Sequence, residues 1–245
     1  MSTIDRHALD KAISLLSLSS RRAVLTGAGV SAESGVPTFR GAEGLWEGRR
    51  AEDVATPEAF ARNPRDVWDF YRWRLRKLAD VKPNPGHYAI ARLEQKSEHF
   101  WLITQNIDGL HAAAGSQNVI EIHGTIRFVR CHECHSRRDI REVIDEELPR
   151  CQKCDGLMRP AVVWFGEMLP PAALNAAHEA IQRCDFMLVA GTSGVVEPVA
   201  SFSYWAKNNG AKIIEVNVER TPISSIADVS LFGKSGEVLP QLIGD

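Results

Sequence analysis

The sequence predicts an α/β fold, a doubly wound parallel sheet with a second, smaller domain inserted into it. Three observations point there. Short apolar runs of strand length alternate with stretches of helical periodicity. The first run leads straight into a glycine turn, Gly27-Ala28-Gly29. Two stretches break the alternation: 41–80, rich in tryptophan, proline and arginine, and 127–160, with four spaced cysteines.

Taken in order, residues 6–18 place Ala8, Leu9, Ala12, Ile13, Leu15 and Leu16 at a rough helical repeat, and Ala23-Val24-Leu25 follows as the first strand. Further strands are expected at 100–103, 119–122, 162–165, 186–189 and 213–216. Several are continuous and β-branched, which suits strands covered on both faces of a parallel sheet. Helices are expected at 86–97, 171–183 and 197–209, the last closed by Asn209-Gly210, and the first inserted stretch carries a helix over 66–78. The resulting division puts 1–32, 81–126 and 160–245 in the large domain and 33–80 with 127–159 in the small one.

Composition narrows the function. In 245 residues, 44% hydrophobic and 24% charged with 18 Gly and 12 Pro, nothing resembles disorder or low complexity. A net charge of -2 leaves no electrostatic footprint for direct nucleic-acid or membrane binding. Apolar runs stay far below the roughly 18 residues of a membrane span. Asp5 and Asp10 sit where a secretion leader would be basic and then apolar. Five cysteines, four of them in two C-x2-C pairs, suit metal binding in a cytoplasmic protein better than a secreted disulfide framework.

Gly27-Ala28-Gly29-Val30-Ser31-Ala32 satisfies G-x-G-x-x-A, in which glycines let backbone approach a dinucleotide pyrophosphate at a helix N-terminus. An ordinary glycine-rich turn fits these six residues equally well. The acidic residue that usually follows about 20 positions on is missing from any strand end, since Trp46-Glu47 follows no strand. Asn217-Val218-Glu219, after the run at 213–216, offers a carboxylate for ribose hydroxyls or merely a solvated loop charge.

The cysteine pairs speak more clearly. Cys131 and Cys134 are separated by 16 residues from Cys151 and Cys154, the spacing of two zinc knuckles. Four thiolates close a tetrahedral site and leave no position for water, so the zinc is expected to be structural. Over 127–160 there are eight basic and seven acidic residues, which makes no phosphate-binding surface. Cys184 reads as a buried structural thiol.

Polar groups then collect at strand ends. Thr104-Gln105-Asn106-Ile107-Asp108 follows the second strand, His123-Gly124 the third, and Gly191-Thr192-Ser193 the run at 186–189. A histidine before a glycine is placed to act as a general base, but these residues alone favour the blander reading of a histidine hydrogen-bonded into a domain junction.

From about residue 21 to the C-terminus these motifs, in this order, resemble the sirtuins, NAD-dependent protein-lysine deacylases; the stretch Gly27 to Arg40 (GAGVSAESGVPTFR), Thr104 to Asp108, His123-Gly124, the four cysteines, Gly191-Thr192-Ser193 and Asn217-Val218-Glu219 carry the likeness. The resemblance implies a Rossmann-like large domain and a small domain made of a helical insertion and a zinc module, with one structural zinc per chain. It also implies NAD as co-substrate, its pyrophosphate near Gly27, Ala28 and Gly29, with Arg40 over the phosphates and Phe39 shielding the reacting ribose. Ser31, Ala32, Glu33, Pro37, Thr38 and Trp46 join the cofactor-binding positions, as does Gln105. Asn106, Ile107 and Asp108 would receive nicotinamide, while Gly191 to Ser193, Asn217 to Glu219 and Ser235 would hold adenosine. The acyl oxygen of a modified lysine displaces nicotinamide, His123 activates the ribose hydroxyls, and water releases lysine and O-acyl-ADP-ribose. Acylated protein lysines are the implied partners, bound as an added strand against Val163, Phe165 and Gly166.

Tyr71 and Arg74 lie i and i+3 on the expected helix, on one face, as a hydroxyl and a planar fork suited to a carboxylate. The same Tyr-x-x-Arg pair marks the class III sirtuins, which remove succinyl, malonyl and glutaryl groups, and Ala51 and Ala55 match the small residues that widen their pocket. Acetyl-lysine remains an expected substrate, since a roomy pocket need not reject a shorter chain. The competing readings are a solvated basic helix face for Arg74, and, for the whole chain, a nicotinamide-dependent oxidoreductase, a zinc-ribbon sensor of NAD or a mono-ADP-ribosyl transferase.

Overall fold

Parallel pairing dominates the computed structural model, which describes residues 5–38 and 46–244. Phe39 and Arg40 lie outside the described residues. Helix α1, Arg6–Ser17, opens where the Asp5 carboxylate accepts from the His7 and Ala8 amides. Strand β1, Arg21–Thr26, then enters the middle of a six-stranded sheet.

The other strands of that sheet are β2 (His99–Thr104), β3 (Val119–Glu121), β7 (Phe186–Ala190), β8 (Lys212–Asn217) and β9 (Val229–Phe232). All pairs are parallel, in the order β3-β2-β1-β7-β8-β9. The chain winds outward from β1 on one side and from β7 on the other. The order therefore reverses between β1 and β7, and ligands of such sheets bind beyond the carboxyl ends at that point.

Both faces are covered, as the unbroken apolar runs require. Val24, Leu102, Leu188 and Ile214 pack beneath α1, α5 (Pro85–Gln95) and α9 (Ser235–Ile243). On the opposite face Ala23, Leu25, Met187 and Ile213 pack under α7 (Pro171–Arg183) and α8 (Phe202–Asn208).

A third core is built from two separate pieces of chain. The first supplies α2 (Ala51–Val54), α3 (Pro57–Arg62) and α4 (Pro64–Leu78). Thr56 and Asn63 cap α3 and α4, each of which carries proline in its first turn, where the missing N–H is harmless. The second piece is a three-stranded antiparallel sheet, β5-β4-β6, made of β4 (Gly124–Cys131), β5 (Arg137–Asp139) and β6 (Met158–Val162). Trp68, Phe60 and Phe70 pack against Ile126, Val129, Met158 and Trp164, and the Trp68 indole donates to the Met158 carbonyl at 3.0 Å. This sheet begins at Gly124 and ends at Val162, a few residues beyond the expected limits 127–159 on either side.

The run at 162–165 corrects the sequence reading. It forms no strand of the parallel sheet: β6 ends at Val162 and pairs antiparallel with β4, Gly124 opposite Val162. An apolar run reveals burial but not its pairing partner, and Pro160 is tolerated because β6 is an edge strand. Residues 197–209 likewise divide into a 3-10 turn, Val199–Ser201, and α8. No helix among the described residues is long and apolar enough to cross a membrane.

Candidate active site

The carboxyl ends of β1, β2, β7 and β8 converge where the strand order reverses. The Gly27 amide donates to the Ala190 carbonyl at 3.1 Å and the Gly29 amide to the Gly191 carbonyl at 2.8 Å. The two loops cross so closely that a Cβ on Gly27 or Gly29 would lie 2.8 Å from Gly191, and one on Gly191, whose φ is +62°, would lie 2.3 Å from the Val30 nitrogen. Here the glycines of the fingerprint serve the loop crossing first, and their own N–H groups are taken by the neighbouring loop.

Neighbouring strand ends are stitched to this crossing. The Gln105 side-chain amide donates to the Thr192 hydroxyl at 2.8 Å, and its backbone amide to the Thr26 carbonyl at 2.9 Å. Asn217 donates through its side chain to the Thr192 carbonyl at 2.7 Å, whereas Val218 and Glu219 lie exposed just beyond. Ala28, Ser193, Pro37 and Thr38 are half-buried around the same end of the sheet, and Ala32 is exposed. Glu33 reaches elsewhere: its carboxylate accepts from the Gly236 amide at 2.5 Å in the first turn of α9, beside buried Ser235. Trp46 is not brought to the loop crossing. Its ring packs on Phe70 at 5.6 Å, with the Arg49 guanidinium over it at 4.3 Å.

A second layer centres on Ser31. Its hydroxyl donates to Asp108 at 2.8 Å and accepts from the Asn106 side chain at 3.1 Å, with the His87 Nε2 at 3.3 Å. The other Asp108 oxygen accepts from the Leu110 amide at 2.9 Å. With one donor on each oxygen, the carboxylate keeps acceptor capacity of the kind a carboxamide needs. Ile107 joins this loop to β4 by accepting from the Ile126 amide at 3.0 Å.

His87 escapes sequence reasoning. The segment Asn84-Pro85-Gly86-His87 starts α5, and His87 reads there as one more helix residue, although Asn followed three positions later by a hydrogen-bonding side chain is the pattern of a capping box. The ring is fully buried and sits 4.9 Å from that of His111, which meets the Thr26 hydroxyl at 2.9 Å. Burial pushes His87 down to about 4 and His111 to about 3, so both are neutral.

His123 stands between the two sheets. Its Nδ1 lies 3.2 Å from the Gln105 carbonyl, an acceptor, which places the ring proton on Nδ1 and leaves Nε2 with its lone pair. Burial lowers its pKa below the usual histidine value, opposed by the bond to Gln105. Its carbonyl accepts from Val163 at 2.9 Å, and Gly124 behind it has φ +74°, where a Cβ would meet the Ala161 carbonyl at 2.3 Å. Phe165 and Gly166 are exposed beyond, with the Phe165 amide donating to the Ala55 carbonyl at 3.0 Å.

Arg74 is half-buried on α4, its guanidinium 5.7 Å from the Phe70 ring centre and within the fields of Tyr71 and Asp108. Tyr71 is 3% exposed, accepts from the Trp164 indole at 3.0 Å, and is pushed up to about 12 by burial, so it is a neutral phenol.

In the antiparallel sheet the four cysteine sulfurs lie within 4.8 Å of one another, with Cys131 to Cys154 at 3.5 Å and Cys134 to Cys151 at 3.6 Å. A tetrahedral zinc with sulfur ligands separates them by about 3.8 Å, so the thiols fit that ion. The Cys134 amide points at the Cys131 sulfur and the Lys153 amide at the Cys151 sulfur, both at 3.4 Å. Cys184 is buried under α7 and takes no part.

Comparison with known proteins agrees with this geometry. The model of the Sir2 family matches residues 27–198. An NAD-dependent protein deacylase of Thermococcus kodakarensis is 52% identical over 242 residues, 96% of this chain and 94% of that protein. NAD-dependent protein deacylase 1 of Archaeoglobus fulgidus is 48% identical over 96% of each. Among solved structures, a Sir2 homolog–NAD complex superposes with a TM-score of 0.91 at 49% identity, covering 96% of this chain and 92% of its own. A Sir2–p53 peptide–NAD+ complex superposes at 0.87 with 34% identity, covering 96% of both. With a family model over most of its length and relatives this similar from end to end, the chain belongs to the Sir2 family.

Proposed function

We propose that the chain is an NAD-dependent protein-lysine deacylase that transfers succinyl and malonyl groups, and acetyl groups as well, from lysine to ADP-ribose with release of nicotinamide. Family membership and relatives named as NAD-dependent protein deacylases support the deacylase itself. The observation that carries the dicarboxylic preference is the pair Tyr71 and Arg74, three positions apart on one face of α4, a neutral phenol beside a guanidinium.

Bound NAD supplies a ribose whose bond to nicotinamide is the one that breaks. The chain supplies position, exclusion of water and a base. Asp108, held by Ser31 and Leu110, accepts from the nicotinamide amide, and the loops carrying Gly27, Thr192 and Asn217 cradle the rest of the dinucleotide. His123 takes a ribose hydroxyl proton on Nε2, and the Gln105 carbonyl stabilises the positive ring that results. The segment from Val163 to Gly166 presents the peptide, and the cysteine cluster holds one structural zinc that keeps β4 and β6 in place.

Matched acetyl-lysine and succinyl-lysine peptides incubated with the protein, with and without NAD, test this by mass spectrometry. NAD-dependent loss of succinyl with one nicotinamide per turnover is expected. Loss of acetyl alone would remove the carboxylate pocket, and loss of neither would overturn the deacylase reading.

A further inference from the structure

Tyr71 and Arg74 alone do not explain how a phenol comes to face a carboxylate with its proton rather than its lone pairs. A tyrosine hydroxyl both donates and accepts, so its direction has to be set by a neighbour. In this structure that neighbour is Trp164. An indole N–H only donates, and it meets the Tyr71 oxygen at 3.0 Å, with both residues buried. Among the described residues no acceptor receives the Tyr71 proton.

Trp164 is itself fixed from three directions. Its ring, 1% exposed, packs on Phe60 at 5.1 Å, and the Arg159 guanidinium lies over it at 3.1 Å. Arg159 is clamped to Glu167 by two bonds of 2.6 and 2.9 Å, and Glu167 accepts from the Trp164 amide at 2.8 Å. The indole is thus a rigid donor delivered to α4 by the segment that follows β6.

We propose that Trp164 is a positioning residue for acyl selectivity: its indole N–H occupies the acceptor side of the Tyr71 hydroxyl and leaves the phenolic proton to donate to the carboxylate of a dicarboxylic acyl group. The proposal rests on the carboxylate-pocket reading above and adds to it the residue that gives the pocket its polarity. An acetyl group carries no carboxylate and gains nothing from that proton.

The test is steady-state kinetics at saturating NAD on matched succinyl-lysine and acetyl-lysine peptides, for the wild type, W164F, Y71F and the double variant. W164F is expected to lower the succinyl-to-acetyl ratio of kcat/KM by about fivefold to tenfold, less than the loss of a whole hydrogen bond to a charged group because the phenol is retained and only its direction is freed, with the fall appearing in the succinyl KM. In a Y71F background the same change is expected to alter the ratio by less than about twofold, because the effect passes through the phenol. An equal loss on both peptides, or a full W164F effect without Tyr71, would overturn the proposal and leave the pocket reading standing. A wild type that removes acetyl but no succinyl would overturn both. Should W164F fail to fold by its thermal transition, Y71F decides alone: an unchanged succinyl preference means that the phenol only fills space.

Discussion

At the scale of single residues, the proposed base His123 is the group whose protonation the reaction would report. Its folded pKa lies below the ordinary histidine value, so the base form persists into mildly acidic solution. A pH profile of kcat/KM is therefore expected to hold its plateau down through pH 7 and to fall along an acid limb centred below about 6.5. A limb centred above that value would mean that the ring is stabilised in its charged form before substrate binds. His123 was legible only through the family resemblance: the local pattern favoured a structural histidine, and the ring stands in the link between the end of β3 at Glu121 and the left-handed Gly124 that opens β4. His87 was not legible, because its importance comes from Ser31 and Asp108, residues 56 and 21 positions away, and no local pattern records that meeting. The fingerprint glycines were legible as necessary, but for a different reason from the one they suggested: the space they leave is filled by Gly191.

At the scale of elements, strands buried on both faces announce themselves, and β1, β2, β7 and β8 lie where their apolar runs place them. The same logic fails for β9, four residues interrupted by Ser230, and for β6, whose apolar run has its partner in another sheet. The outer strand of the antiparallel sheet, β5, is Arg137–Asp139 and adds no apolar side chain to the third core. The order of this sheet is expected to depend on zinc. Removing the ion with a strong chelator should lower the thermal midpoint by several degrees, release about one zinc per chain, and abolish deacylation together with the order of β4 and β6, read by amide exchange. A chelated protein with full activity and unchanged exchange would show that the thiols contribute no more than packing.

At the scale of the whole molecule, two neutral imidazoles enclosed between the parallel sheet and α5 make stability depend on acidity. His87 and His111 sit at about 4 and about 3 when folded, against about 6.5 in an unfolded chain. Their depressed values leave stability whole above pH 6.5. As pH falls from there, the unfolded chain gains protons that the folded chain refuses, and each ring costs up to about 1.4 kcal/mol per pH unit until its own folded value, about 4 for His87 and about 3 for His111. The urea midpoint is expected to drop between pH 7.5 and pH 5, and the drop should shrink in H111Q. A midpoint unchanged over that interval would mean that both rings accept protons in place.

The third core has a consequence for how the lobe can be altered. Its halves, residues 46–78 and 126–164, are separated by α5, β2 and β3, which belong to the parallel sheet. No continuous stretch of chain makes this lobe, so neither half alone contains its core. Tyr71 comes from one half and Trp164 from the other, 93 positions apart. Substitutions that reshape this contact while keeping the two side chains matched in size would therefore fall on both sides of a seam, within a dinucleotide scaffold that stays as it is.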